Sequence, residues 1–195
     1  MGKVVTGITM SLDGFIAGPN DDVSRLFGWY FSGDREIPIQ DGNMSLRVTP
    51  ESAEVLEDAF KQTGAMVAGR RMFDLSQAWA GHPPFAPAFI LTHNPPREWI
   101  KEGSPFTFVT DGIESAIAQA KAAAGDKNVA VATATTTQQA LKAGLLDEIS
   151  IGLVPLLLGD GVRLFEHLGV EPRDLEIVQV VEAPGVTHLT YRVVK

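Results

Sequence analysis

The 195-residue chain contains no cysteine. That absence excludes disulfides, thiolate zinc sites, iron–sulfur clusters and cysteine nucleophiles together. Histidine is scarce: the four residues His82, His93, His167 and His188 have none of the spacings that hold a metal, so no metal site is expected. Cations are in short supply too, with 16 Lys and Arg against 24 Asp and Glu and a net charge of −8. Such a chain lacks the basic footprint of non-specific nucleic-acid binding. Apolar runs are only a few residues long, against the roughly 20 that span a bilayer, so no membrane insertion is expected. Residues 1–15 are interrupted by Gly, Thr, Ser and Asp and do not read as a secretion signal. Neither Gly-x-Gly-x-x-Gly nor a Walker loop is present, so the two common nucleotide fingerprints do not apply.

What remains is 45% hydrophobic and 21% charged, an ordinary globular composition. One soluble, cytoplasmic domain over residues 1–195 is the expectation. Lys3–Met10 is β-branched and turn-bounded and predicts a strand, followed by a loop over Ser11–Asn20. Asp21–Val48 holds no period for long, the pattern of a long functional loop or a lid. Thr49-Pro50 predicts a helix N-terminus, with the helix closed by Gly64. Ala65–Ala68, Ala88–Leu91, Phe106–Val109 and Asn128–Ala132 predict strands, and Gly112–Ala124 and Thr135–Ala143 predict helices. Ile149, Ile151 and Leu153 alternate with smaller residues. Leu175–Val181 and Val186–Val193 then close the chain as a hairpin across Pro184-Gly185. The pattern predicts an α/β fold of three layers, with a mixed sheet and an antiparallel C-terminal strand pair.

Open α/β sheets bind ligands beyond the carboxyl ends of their strands, and four loops fall there: Ser11–Asn20, Gly69–Phe73, Thr92–Pro96 and Ala132–Thr137. In Gly69-Arg70-Arg71, two cations open a helix against its dipole, a conflict that a bound anion would relieve. The alternative is a solvated pair, neutralised in part by Asp74. Thr133, Thr135, Thr136 and Thr137 suit a pyrophosphate or an ordinary helix cap. Asp13 either orients a substrate or makes the turn before Gly14. Trp29 and Tyr30 either stack on a flat heterocycle or plug their segment onto the core.

Several stretches together resemble the dihydrofolate-reductase-like superfamily. They are Ser11-Leu12-Asp13-Gly14-Phe15-Ile16-Ala17, Gly69-Arg70-Arg71-x-Phe73, Gln139-Ala140-Leu141-x-Ala143-Gly144-Leu145-Leu146-Asp147-Glu148-Ile149, and Pro155–Phe165 with its Leu158-Gly159-Asp160-Gly161 centre. Within that superfamily they are most similar to the C-terminal reductase domain of bacterial bifunctional riboflavin-biosynthesis deaminase-reductases and its stand-alone relatives. The resemblance implies a mostly parallel sheet with flanking helices, NADPH as cofactor and a homodimer. It implies that Arg70 and Arg71 face the 2′-phosphate of NADPH and that Thr92 and His93 line the adenosine end. By the same resemblance, Ile16 and Ala17 approach the nicotinamide, Asp13 turns toward the substrate, and Gly69, Ala132, Thr133 and Thr136 line the cofactor. The chain departs from the family at three points. Ala132-Thr133, or Thr133-Ala134 in the other alignment, stands where Gly-Gly is usual, Met72 stands where Thr usually follows Arg-Arg, and without cysteine the deaminase zinc motif is absent.

The function this predicts is NADPH-dependent reduction of a pteridine- or pyrimidine-like heterocycle, a small-molecule substrate. The alternatives are a non-catalytic binding protein on the same scaffold and a dihydrofolate-type reductase. For the latter, Glu51 and Glu54 are the carboxylates on offer near the relevant helix start.

Overall fold

Thr49 and Pro50 start a helix for the reasons their sequence gives: the Thr49 hydroxyl accepts from the Ser52 amide at 3.5 Å and Pro50 fills the first turn. The computed structural model describes residues 2–39, 42–166, 168–169 and 171–195, so His167 lies outside the described residues. In chain order the N-terminal elements are β1 (Val4–Ser11), β2 (Phe15–Ala17), β3 (Arg35–Ile39), β4 (Met44–Val48), α1 (Pro50–Gln62), β5 (Thr63–Gly69) and α2 (Arg70–Leu75). Then come β6 (Ala88–Leu91), β7 (Phe106–Val109), α3 (Ile113–Ala124), β8 (Asn128–Ala132), α4 (Ala134–Lys142) and β9 (Glu148–Val154). The chain closes with β10 (Val162–Arg163), β11 (Leu175–Ala183) and β12 (Val186–Val193).

Eight strands form one sheet in the order β11-β12-β9-β1-β8-β5-β6-β7. The six from β9 to β7 are parallel, β12 runs antiparallel to β9, and β11 runs antiparallel to β12. Because side chains alternate along a strand, β5 sends Ala65 and Val67 to one face and Met66 and Ala68 to the other. The first face packs against Ala116, Ile117 and Ala120 of α3 and Ala140 and Leu141 of α4. The second packs against Phe73 of α2 and Trp79. Further along the second face, Trp29 joins Ala53 of α1, Ile37, Leu46, Val48, Ala183 and Val186. The result is the expected three-layer α/β architecture.

The structure corrects the sequence reading in three places. Ser11–Asn20 is not wholly loop: Phe15–Ala17 pairs antiparallel with β10, and a side chain at Gly161 would stand 2.0 Å from the Ala17 carbonyl oxygen. Asp21–Val48 is not one long irregular loop. It holds a 3-10 turn over Phe27–Phe31 and the β3–β4 hairpin, fastened by buried Trp29, Ile37 and Leu46. Gly64 does not end α1; the helix stops at Gln62, and Gly64 lies in β5, where a side chain would meet Lys127 Cβ at 2.8 Å.

Candidate functional site

All four loops singled out in the sequence follow the carboxyl ends of parallel strands, so they share one edge of the sheet. The order β1-β8-β5-β6 seats the start of α4 between the β1 loop and the start of α2. Gly69 and α4 meet directly: the Thr136 methyl lies 3.7 Å from where a Gly69 Cβ would be. Thr136 is buried, and its hydroxyl donates to the Ala132 carbonyl, so it fastens the end of β8 rather than facing solvent. Thr133 precedes α4 with φ 73° and ψ 170°, a backbone region that is essentially glycine-only. Its side chain makes no capping bond, which leaves the first-turn amides of α4 uncapped by it. The backbone here therefore keeps a glycine conformation with a β-branched residue in place.

Arg70 and Arg71 open α2 at the end of β5. Arg70 Nε donates to both Asp74 carboxylate oxygens, at 2.8 and 2.9 Å, and its Nη1 donates to the Asn94 carbonyl. Arg71 Nη2 lies 2.7 Å from Asp21 Oδ2, and that carboxylate raises the guanidinium's pKa further. Thr92 is buried at the end of β6; its amide donates to Val109 and its hydroxyl accepts from the Asn94 amide. His93 is exposed beside it.

Asp13 is engaged by the protein itself. Its carboxylate accepts from the Ser11 hydroxyl at 2.6 Å, the Gly159 amide at 2.7 Å and the Leu158 amide at 3.1 Å. These donors, the Ser11 hydroxyl foremost and then the two amides, hold its pKa down to about 2 despite some desolvation. Arg163 completes the clasp, donating to the Asp13 carbonyl while its guanidinium lies 4.2 Å from the Phe15 ring centroid. Ile16 and Ala17, on β2, are both buried, and Ile16 belongs to the main core. Trp29 is buried over Gly152, donates from Nε1 to the Thr9 hydroxyl and stacks on Tyr30 at 3.9 Å. Tyr30 is half-buried, and burial raises its phenol pKa while the Thr9 hydroxyl lowers it. Glu51 and Glu54 are exposed on α1. The Glu51 carboxyl is held below its ordinary range by its own amide and by Thr49, the opposite of what a proton donor needs.

Three pairings at this edge could not be read from the sequence: Asp21 with Arg71, the Asn94 carbonyl with Arg70, and the Leu158 and Gly159 amides with Asp13. The partners lie 50, 24 and about 145 residues apart, and only the folded chain brings them together. A surface depression of about 460 Å³ lies at the opposite edge, between Lys3, Lys121, Asp147, Glu148, Arg192 and Lys195. Its charges are largely matched, with Lys3 on Glu148 and Lys195 on Asp147, so volume alone does not identify a site. Among the described residues no group of three or more His, Asp or Glu could hold a metal ion. No helix among them is long and apolar enough to cross a membrane.

No curated protein matches the sequence. Among solved structures, a Shewanella sp. PV-4 protein named for riboflavin biosynthesis is 24% identical with a TM-score of 0.73, covering 100% of both chains. A Thermotoga maritima diaminohydroxyphosphoribosylaminopyrimidine deaminase/5-amino-6-(5-phosphoribosylamino)uracil reductase is 12% identical with a TM-score of 0.63. The match covers 99% of this chain and 57% of that one, so this chain spans little more than half of it. Enterococcus faecalis dihydrofolate reductase, complexed with NADP(H), is 14% identical with a TM-score of 0.60 over 99% of this chain and 97% of its own. These likenesses establish a dihydrofolate-reductase-like fold. The profile of the RibD C-terminal domain matches residues 2–189, almost the whole sequence, and the chain belongs to that family.

Proposed function

We propose that the protein is an NADPH-dependent reductase of a flat pyrimidine- or pteridine-like heterocycle, akin to the reductase step on a ribosylamino-uracil in riboflavin biosynthesis. One observation carries the reading: in a RibD C-terminal domain, the Arg70-Arg71 pair and the first turn of α4 adjoin on the carboxyl edge of the sheet. The residues there fit a dinucleotide. At Gly69 a side chain would meet only the Thr136 methyl, at 3.7 Å, the α4 amides suit a pyrophosphate, and two guanidiniums offer planar donors for a phosphate. NADPH, when bound, supplies the hydride. The chain's own part is orientation and exclusion of water. Asp13 clasps the β1–β2 turn to the Leu158-Gly159 loop, fixing one wall. Trp29 and Tyr30 stiffen the sheet face beneath that wall through Thr9.

The resemblance also implies a homodimer. The edge strand β11 exposes Leu175, Ile177, Val178 and Val180, a surface that a second copy would cover.

The test is a tryptophan-fluorescence titration with NADPH and with NADH, reading Trp29, Trp79 and Trp99. We expect micromolar NADPH binding, weaker NADH binding, and loss of that preference in an Arg70→Ala/Arg71→Ala variant. No binding of either dinucleotide at millimolar concentration would overturn the reductase reading. It would favour a non-catalytic binding protein, for which Thr133 in a glycine conformation is the motivating observation.

A further inference from the structure

Both arginines at the end of β5 already have carboxylates, but the two pairs are built differently. Asp74 lies one turn along the same helix from Arg70, so that pair follows from helix geometry alone. Asp21 lies 50 residues from Arg71, on the loop after β2, and only the tertiary fold brings it within 2.7 Å. The loop that presents it is fixed. Asn20 and Asp21 take φ of 60° and 62°, the Gly18 amide donates to the Asp22 carbonyl at 2.7 Å, and the Ser24 amide donates to the Asp22 carboxylate at 2.9 Å. The Asp21 side chain is 20% exposed and that of Arg71 is 75% exposed. The acid is seated, whereas the cation reaches to it through solvent. This pair ties the loop after β2 to the first turn of α2.

We propose that Asp21 is a built-in rival for Arg71: it holds the guanidinium that a ligand's phosphate would use, and so limits how strongly the protein prefers a dinucleotide bearing a 2′-phosphate. The inference rests on the dinucleotide reading above. With one carboxylate on each arginine, the two cations present no net charge to an arriving anion. A phosphate gains only the difference between its own pairing with Arg71 and the pairing it displaces. A ribose hydroxyl displaces no ion pair, and a carboxylate is a ready acceptor for it. Asp21 thus lowers affinity for the phosphorylated ligand selectively.

Calorimetric titration of the intact protein with adenosine 2′,5′-bisphosphate, 5′-AMP, NADPH and NADH tests this in Asp21→Asn and Asp21→Ala. Both variants should bind the two 2′-phosphate ligands about two- to fivefold tighter, the scale of one exposed ion pair, with 5′-AMP and NADH changing less. In an Arg71→Ala background the same substitutions should leave the ratio unmoved, because the contested cation is gone. An equal change for both ligand classes, no change, or a shift that persists without Arg71 would overturn the rivalry while leaving the reductase reading standing. Failure of every variant to bind either dinucleotide at millimolar concentration would overturn both.

Discussion

At the amino ends of β1 and β9, Asp147 accepts from the Val4 amide at 2.7 Å and from Lys195 Nζ at 2.6 Å, with Lys3 on Glu148 beside it. At the carboxyl ends, Arg70 meets Asp74 and Arg71 meets Asp21. The side chains are of the same kinds, but they join different things. The first group reinforces strands that the β1–β9 ladder already holds, and Asp147 also satisfies a backbone amide there. Of the second group, Arg71–Asp21 joins the loop after β2 to the first turn of α2, which no ladder connects, through a largely exposed cation. Exposed pairs contribute about 1 kcal/mol or less, so the carboxyl edge can exchange partners without unfolding. The amino edge is built to stay; the carboxyl edge is built on a rigid floor with replaceable contacts above it.

Three measurements sharpen or break that contrast. The largest effect belongs to the floor of the carboxyl edge. Trp29→Ala should cost about 3–5 kcal/mol in denaturant unfolding, because it empties the space between the β3–β4 hairpin and the sheet. A loss below about 1 kcal/mol would mean that the hairpin is a loose flap after all. Next comes Asp147→Ala, expected to cost about 1–3 kcal/mol by leaving the Val4 amide without its partner. Burial raises the Asp147 pKa, but Lys195 and the Val4 amide outweigh it and hold the carboxyl below 3.8 when folded. Its contribution is therefore present above the ordinary aspartate range and is lost as the pH falls through the lowered folded value. The stability difference between wild type and variant should shrink over that window; a constant difference would remove Asp147 from the account. The smallest expected effect is a gain. Thr133→Gly should stabilise the protein by about 1–2 kcal/mol, since glycine adopts φ 73°, ψ 170° without the strain that threonine carries. A loss would show that this strand end is relaxed as it stands.

The helix-backed strands were legible because each carries its own signal. Ala88–Leu91, Phe106–Val109 and Asn128–Ala132 have the bounds read from their apolar runs and turn residues. The β3–β4 hairpin was not legible, for a physical reason. Of β3 only Ile37 is buried, and Pro38 interrupts the strand pattern, so no period-two signal survives. Strand β2 has three residues and exists because β10, some 145 residues later, comes alongside. At the site, the Arg70-Arg71 conflict with the α2 dipole was visible locally, as was the threonine cluster at α4. The roles of Asp13 and Trp29 were ambiguous in sequence. In the structure Asp13 clasps two loops and Trp29 fills the core, while half-buried Tyr30 retains open surface.

Local sequence was enough for the absence of cysteine chemistry, the alternation of strands and helices, the Thr49-Pro50 helix start and the Arg-Arg pair at a strand end. All of these depend on residues within a few positions of one another. The tertiary structure alone decided that β8 ends between β1 and β5, that Thr133 takes a glycine conformation, and that Asp21 reaches Arg71. Those are outcomes of long-range strand order and loop closure, in which groups far apart in the chain become neighbours only when the sheet assembles.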